Sequence, residues 1–131
     1  MIQIIDAVLE TDNRFIYSRN EEFNMARKKF ETLTEQMFYI LLSLEEEYCG
    51  IDIMDKIQNM TEGRISVGSG TLYTILGEFE KNSLIRETAV EGRKRSYIIT
   101  QEGQRILSNE ISRLTQQLED YKKFGRENSI E

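Results

Sequence analysis

Apolar residues return at helical spacing in four stretches of the chain and cluster as β-branched runs in two, which sets the order of elements. Leu33, Met37, Ile40, Leu41, Leu44 and Tyr48 keep the period of one helix face, while Phe38, Tyr39 and Leu42 place apolar surface on its other sides. A helix apolar nearly all round needs cover on more than one side, and in a small domain a second subunit is the simplest source. Thr32 or Thr34 is its expected cap, with Glu35 three residues after Thr32 as a capping box requires. Gly50 breaks the pattern, and Ile53, Met54, Ile57 and Met60 form one stripe of a second helix over 51–60. Beyond "TEGRISVGSG" a third helix is predicted from about Ser69 to Asn82. "LIRETAV" and "KRSYIIT" then read as two strands joined by a turn at "EGR". Thr100 is placed to cap a last helix, which meets no breaker between Gly103 and Gly125. The fold class is mainly α with a β-hairpin, in the order helix, helix, helix, hairpin, helix.

Residues 1–24 mix apolar and charged residues without a steady period, and "MARKKF" from Met25 looks like an ordinary protein start. They are read as an N-terminal extension the domain can dispense with; the alternative is a short helix or strand packed on it. The remaining divisions are a domain over 25–100, a C-terminal helix over 101–124 and a flexible tail over 125–131.

The third helix divides sharply. At about 100° per residue, Leu72, Ile75, Leu76 and Phe79 share the sector expected to pack, and Gly70, Tyr73, Thr74, Gly77 and Lys81 share the opposite one. The second face holds no carboxylate, although the chain has 23 acids. Its glycines permit close backbone approach, its tyrosine and threonine suit bases or phosphates, and Lys81 supplies charge. The alternative for Gly77 is close contact with another helix, since mid-helix glycine costs roughly 1 kcal/mol relative to alanine. A nucleotide loop is excluded by spacing: Ser69 stands where a Walker lysine belongs, and Tyr73 where the dinucleotide pattern needs its third glycine.

Composition narrows the chemistry. With no histidine and one cysteine, the chain lacks the parts for histidine-based catalysis, a Cys/His metal site or an internal disulfide, so no cofactor or metal is expected and an enzyme is disfavoured. Cys49 reads as a small core hydrophobe rather than a redox thiol. The longest apolar run, "MFYILLSL", falls far short of the roughly 20 residues that span a bilayer; no membrane partner and a cytoplasmic location are expected. The net charge of −6 looks unfavourable to nucleic acid. However, charges act over only about 8 Å at physiological salt, and the acid is concentrated ahead of the third helix. Arg93, Lys94 and Arg95 follow in consecutive positions at the hairpin tip. Three helices and a cationic hairpin are the order of a winged helix-turn-helix, with the third helix in the major groove and the wing on phosphate or in the minor groove.

From Leu33 to Gly103 the chain resembles the PadR family of bacterial transcriptional regulators. The resemblance rests on the "L-T-E…I-L…L" first helix, the "G-T-L-Y…L…F-E…L-I" recognition region and the "E-G-R-K-R-S-Y-I-I-T-Q-E-G" wing. The single helix after the wing is similar to the smaller members. The resemblance implies a homodimeric winged-helix repressor on an inverted repeat, in many members released by a small molecule. By position, Tyr73 matches the family's recognition-helix tyrosine, Gly70 and Thr71 its helix start, and Arg93 to Tyr97 its wing and strand. Many members have proline where this chain has Thr74, which preserves the helix and adds a hydrogen-bonding group.

The DNA-contacting residues expected from pattern and resemblance together are Ser69, Gly70, Thr71, Tyr73, Thr74, Gly77, Lys81, Arg93, Lys94 and Arg95. Tyr73 and Thr74 are assigned to base edges or phosphates and the cations to phosphates, with Ser66 or Ser69 capping the recognition helix. In the last helix, Leu107, Ile111, Leu114, Leu118 and Tyr121 step by four, three, four and three, a two-heptad seam. With Phe38 and Leu42 they are the expected dimerisation residues. Phe38, Tyr39 and Tyr121 are weak candidates for an effector site at the dimer interface. The alternative function is a winged-helix dimer that binds proteins rather than DNA, which the overall acidity favours and the cationic hairpin disfavours.

Overall fold

The computed structural model describes residues 28–126. The expected extension over 1–24 and the tail from residue 127 lie outside the described residues. Among them the elements run α1 (Glu35–Ser43), β1 (Tyr48–Cys49), α2 (Gly50–Met60), α3 (Ser69–Lys81), β2 (Ile85–Glu91), β3 (Lys94–Ile99) and α4 (Gln101–Phe124). The strands form one antiparallel sheet in the order β1-β3-β2.

The helix caps show how local chemistry sets the boundaries. Thr34 begins α1, its hydroxyl accepting the Met37 amide at 3.2 Å, so the cap is Thr34 and the Thr32–Glu35 capping box is not used. Thr100 caps α4 as its position suggested, accepting the Gly103 amide at 3.1 Å while its hydroxyl donates to the Ser83 carbonyl at 2.6 Å. Between α2 and α3, the Thr61 hydroxyl donates to the Ile57 carbonyl at 2.7 Å and accepts the Ile65 amide at 3.1 Å, fixing the turn.

The core is assembled from every element after residue 31. Ile40 and Leu41 of α1 with Leu44 just after it, Ile53 and Ile57 of α2, Leu72, Ile75, Leu76 and Phe79 of α3, Leu84 and Ile85 at the entry to β2, and Ile106 and Leu107 of α4 are all buried. The two-residue strand β1 was absent from the sequence reading. It pairs Tyr48 with Tyr97 and Cys49 with Ser96, tying the start of α2 to the wing. Cys49 is buried there, its thiol donating to the Asp52 carboxylate at 3.1 Å.

One charged residue is part of this interior. Glu110 of α4 is 2% exposed and accepts the Leu33 amide at 3.0 Å and the Arg113 guanidinium through both nitrogens that face it. The bond to Arg113, helped by the Leu33 amide, holds the Glu110 carboxyl below its ordinary 4.5 against the opposing effect of burial. Because the folded value is depressed, the stabilisation is fully present above pH 4.5 and is lost as the pH falls through the folded value. Glu110→Gln is therefore expected to lower stability at pH 7 by about 2 kcal/mol, with the gap from wild type closing below pH 4.5 in urea titrations across pH. A gap independent of pH would contradict this role.

The Ile99 amide donates to the Leu44 carbonyl at 2.7 Å, whereas Leu33 meets Glu110. These two bonds make α1 and α4 antiparallel, and from Ile111 onward α4 runs past the start of α1 for about 20 Å. Leu107, assigned to the dimer seam, is instead buried in the protomer's own core. Among the described residues, no helix is long and apolar enough to cross a membrane.

Candidate nucleic-acid interface

The two faces of α3 are segregated as the wheel indicated. Leu72, Ile75, Leu76 and Phe79 are buried, and Ser69, Gly70, Thr71, Tyr73, Thr74, Gly77 and Lys81 are all exposed. The helix starts after Gly68, which has no side chain to cap it, so neither Ser66 nor Ser69 acts as the cap. The Thr74 hydroxyl donates to the Gly70 carbonyl at 2.9 Å, so its proton is already engaged within the helix and its oxygen is left as an acceptor. A methyl placed on Gly77 would meet nothing within 4 Å. No helix of the described protomer therefore accounts for glycine at that position.

The hairpin turns through Gly92 and Arg93, with Glu91 paired to Lys94 and Gly92 at φ +64. A positive φ at the first of two loop residues alone is the II′ arrangement, which glycine satisfies without strain. Thr88 forms a bulge in β2, since Glu87 pairs with Tyr97 and Ala89 with Ser96. The extra residue shifts the in-out alternation of β2 beyond that point, and Arg93, Lys94 and Arg95 all emerge exposed at the tip.

Helix α3 and the hairpin come together across a cleft of about 630 Å³ lined by Tyr73, Arg93, Lys94 and Arg95, with Cys49, Gly50 and Ile51 from the start of α2 and Tyr97 from β3. Glu91 also lines it. Arg95 is partly engaged, lying 3.6 Å from the Glu87 carboxylate. Burial pushes the Tyr97 phenol up, with Glu80 and Glu87 adding to the effect and Arg95 opposing it, so a neutral hydroxyl lies beside the cations. Lys81 is two turns further along α3, about 12 Å from Tyr73 along the axis, and does not line the cleft.

Residues of the start of α2 were not expected at this site. A two-residue strand has too little pattern to announce itself, and Gly50 reads in sequence only as a helix break. Among the described residues, no group of three or more His, Cys, Asp or Glu could hold a metal.

A family model described as the transcriptional regulator PadR-like family matches residues 40–109, from α1 through the wing into α4. The chain belongs to the PadR-like family. No curated protein matches the sequence. Among solved structures, this PadR-like chain is similar to a transcriptional regulator from Clostridium thermocellum, with 22% identity over 72% of this chain and 99% of that one at a TM-score of 0.58. A PadR family transcriptional regulator from Eggerthella lenta matches at 17% identity over 87% and 95% of the two chains, with a TM-score of 0.60. A PadR-like transcription factor from Bacteroides fragilis matches at 20% identity over 84% and 98%, with a TM-score of 0.57. At such identities the likeness is one of fold, and the fold is the winged helix.

The expected dimerisation and effector residues fall in two places. Phe38 and Leu42 are half-buried on α1, whereas Ile111, Leu114, Leu118 and Tyr121 are 47%, 41%, 52% and 47% exposed along the projecting part of α4. Phe38 and Tyr39 meet edge to face at 5.2 Å, and the Tyr39 hydroxyl accepts from Arg64 at 3.3 Å. Tyr121 lies 11 positions past Glu110 on α4, beyond the start of α1, so it does not join Phe38 and Tyr39 within one protomer.

Proposed function

We propose that this PadR-like regulator binds double-stranded DNA as a homodimer and represses transcription from an inverted repeat. The observation that carries the reading is the cleft that places Tyr73 of α3 beside Arg93, Lys94 and Arg95 of the wing. An acid-free helix face presented with three hairpin cations matches what a major groove and its flanking phosphates require, and the nearby Glu87 and Glu91 offset only part of that charge. The open space over Gly77 suits close approach of a sugar-phosphate backbone. An effector held between subunits would meet Phe38 and Tyr39, with Tyr121 reaching them only across the dimer.

Mobility shift with a duplex of the promoter upstream of the protein's own gene, against a random duplex of equal length, tests the reading. Selective binding of the promoter is expected; equal weak binding of both points to the protein-interaction alternative. Arg93→Ala is expected to weaken binding to both duplexes and to reduce the slope of log K against log salt by about 1 between about 50 and 200 mM. Arg95→Ala is expected to change the slope less, because Glu87 already shares that charge. Equal slopes for Arg93→Ala and wild type would remove Arg93 from the interface.

A further inference from the structure

Tyr73 lies in a position that only glycine at residue 50 allows. The phenol of this half-exposed side chain reaches from α3 to the first turn of α2, and a Cβ built on Gly50 would lie 2.6 Å from its hydroxyl oxygen, 3.0 Å from Cζ and 3.1 Å from Cε1. Real carbon contacts do not approach so closely, so the tip of the ring rests on the bare backbone of Gly50. Gly50 is itself held in place. The preceding residues Tyr48 and Cys49 are paired to Tyr97 and Ser96 of the wing strand, and Gly50 is buried. The ring is thus set against a backbone segment that a sheet ladder ties to the wing, and the ring, this segment and the wing cations line one cleft.

We propose that Gly50 is a positioning residue for the recognition tyrosine: the missing side chain lets the Tyr73 ring lie against the start of α2, which fixes its direction relative to α3 and the wing. A surface tyrosine without such a seat samples several staggered rotamers, and each would bring the hydroxyl to a different place relative to DNA. Seating the ring removes that freedom before binding, so the ordering cost is not charged against the complex. Selectivity then depends on a residue that need not touch DNA. This inference rests on the DNA-binding reading above for its functional consequence, but not for its geometry.

The test uses the full chain with Gly50→Ala, Tyr73→Ala and the double variant, measured by fluorescence anisotropy on the own-promoter duplex and the random duplex. Gly50→Ala is expected to keep the melting temperature, because the added methyl meets only the movable end of an exposed side chain. It is expected to weaken promoter binding about tenfold and random-duplex binding little. In the Tyr73→Ala background the same substitution is expected to cost nothing further, since no ring remains to be displaced; this non-additivity is the signature of positioning. Wild-type affinity in Gly50→Ala, or the same loss with and without the Tyr73 ring, overturns the proposal. So does unfolding of the double variant, which would make Gly50 structural. Nuclear Overhauser contacts between the Tyr73 ring and the Gly50 α-protons supply a readout that needs no DNA. Their presence in the wild type, with the Tyr73 ring signals moving towards solvent-exposed values in Gly50→Ala, supports the seat even if neither duplex is bound selectively. An unmoved ring in Gly50→Ala rejects it.

Discussion

Gly103→Ala is expected to cost about 3 kcal/mol of stability, on the order of 15 °C in melting temperature for a fold of this size. A Cβ at residue 103 would overlap the Leu84 carbonyl oxygen and lie 2.7 Å from Cγ1 of Ile99. Neither neighbour can yield cheaply. The Leu84 carbonyl accepts the Thr100 amide at 3.0 Å, and the Thr100 hydroxyl is held between the Ser83 carbonyl and the Gly103 amide. The exit from α3, the end of β3 and the first turn of α4 therefore meet at one point with no room for a methyl group. Moving α4 outward would also separate Ile106 and Leu107 from the core. Gly77→Ala is the matched control: its methyl meets open space, so it is expected to raise stability by up to about 1 kcal/mol. Thermal and urea unfolding of both variants checks the contrast, and a Gly103→Ala protein melting as the wild type does would show that the junction yields freely.

Those two glycines mark where sequence reasoning stops. The alternation of faces in α3 was legible because Leu72, Ile75, Leu76 and Phe79 repeat with the helical period, and all four are buried. The hairpin and the Thr100 cap were legible because their chemistry is local. Glu110 was not, since its amide partner Leu33 lies 77 residues away and nothing in α4 distinguishes this acid from its solvated neighbours. Gly50, Gly77 and Gly103 look alike in sequence. One faces a tyrosine, one faces solvent and one faces a carbonyl, and only the packed fold assigns those surroundings.

The cation run "RKR" and the tyrosine of "GTLY" could be selected as site residues from local pattern, and the cleft brings them together. Their restraints could not be selected in the same way. Arg95 opposite Glu87 and the Thr74 hydroxyl bonded back to Gly70 are consequences of strand register and helix geometry. Both reduce what a bare residue count would assign to the interface. The bulge at Thr88 is equally illegible in sequence, since it appears only in the pairing of Glu87 with Tyr97 and of Ala89 with Ser96.

Replacing Leu114 and Leu118 together with glutamate is expected to leave a folded monomer and to lower promoter affinity by 100-fold or more. Both residues lie on the part of α4 that passes beyond the core, in a stripe with Ile111 and Tyr121, and Phe124 at its end is 83% exposed. Neither substitution opens the core, so melting of the protomer itself changes little. The loss in affinity follows from linkage rather than from any DNA contact. When two recognition helices are joined, the second half-site is bound at an effective concentration near millimolar, which multiplies affinity by roughly 10² to 10⁴; separated protomers lose that factor. Glutamates at Asn109 and Gln116, on the opposite side of α4 at about 100° per residue, add the same charge away from the stripe. Sedimentation analysis is expected to show monomers for the first pair and dimers for the second, with anisotropy titrations following the same division. If both pairs remain dimeric, the stripe is not the seam; if both lose affinity equally, added negative charge rather than loss of the dimer is responsible.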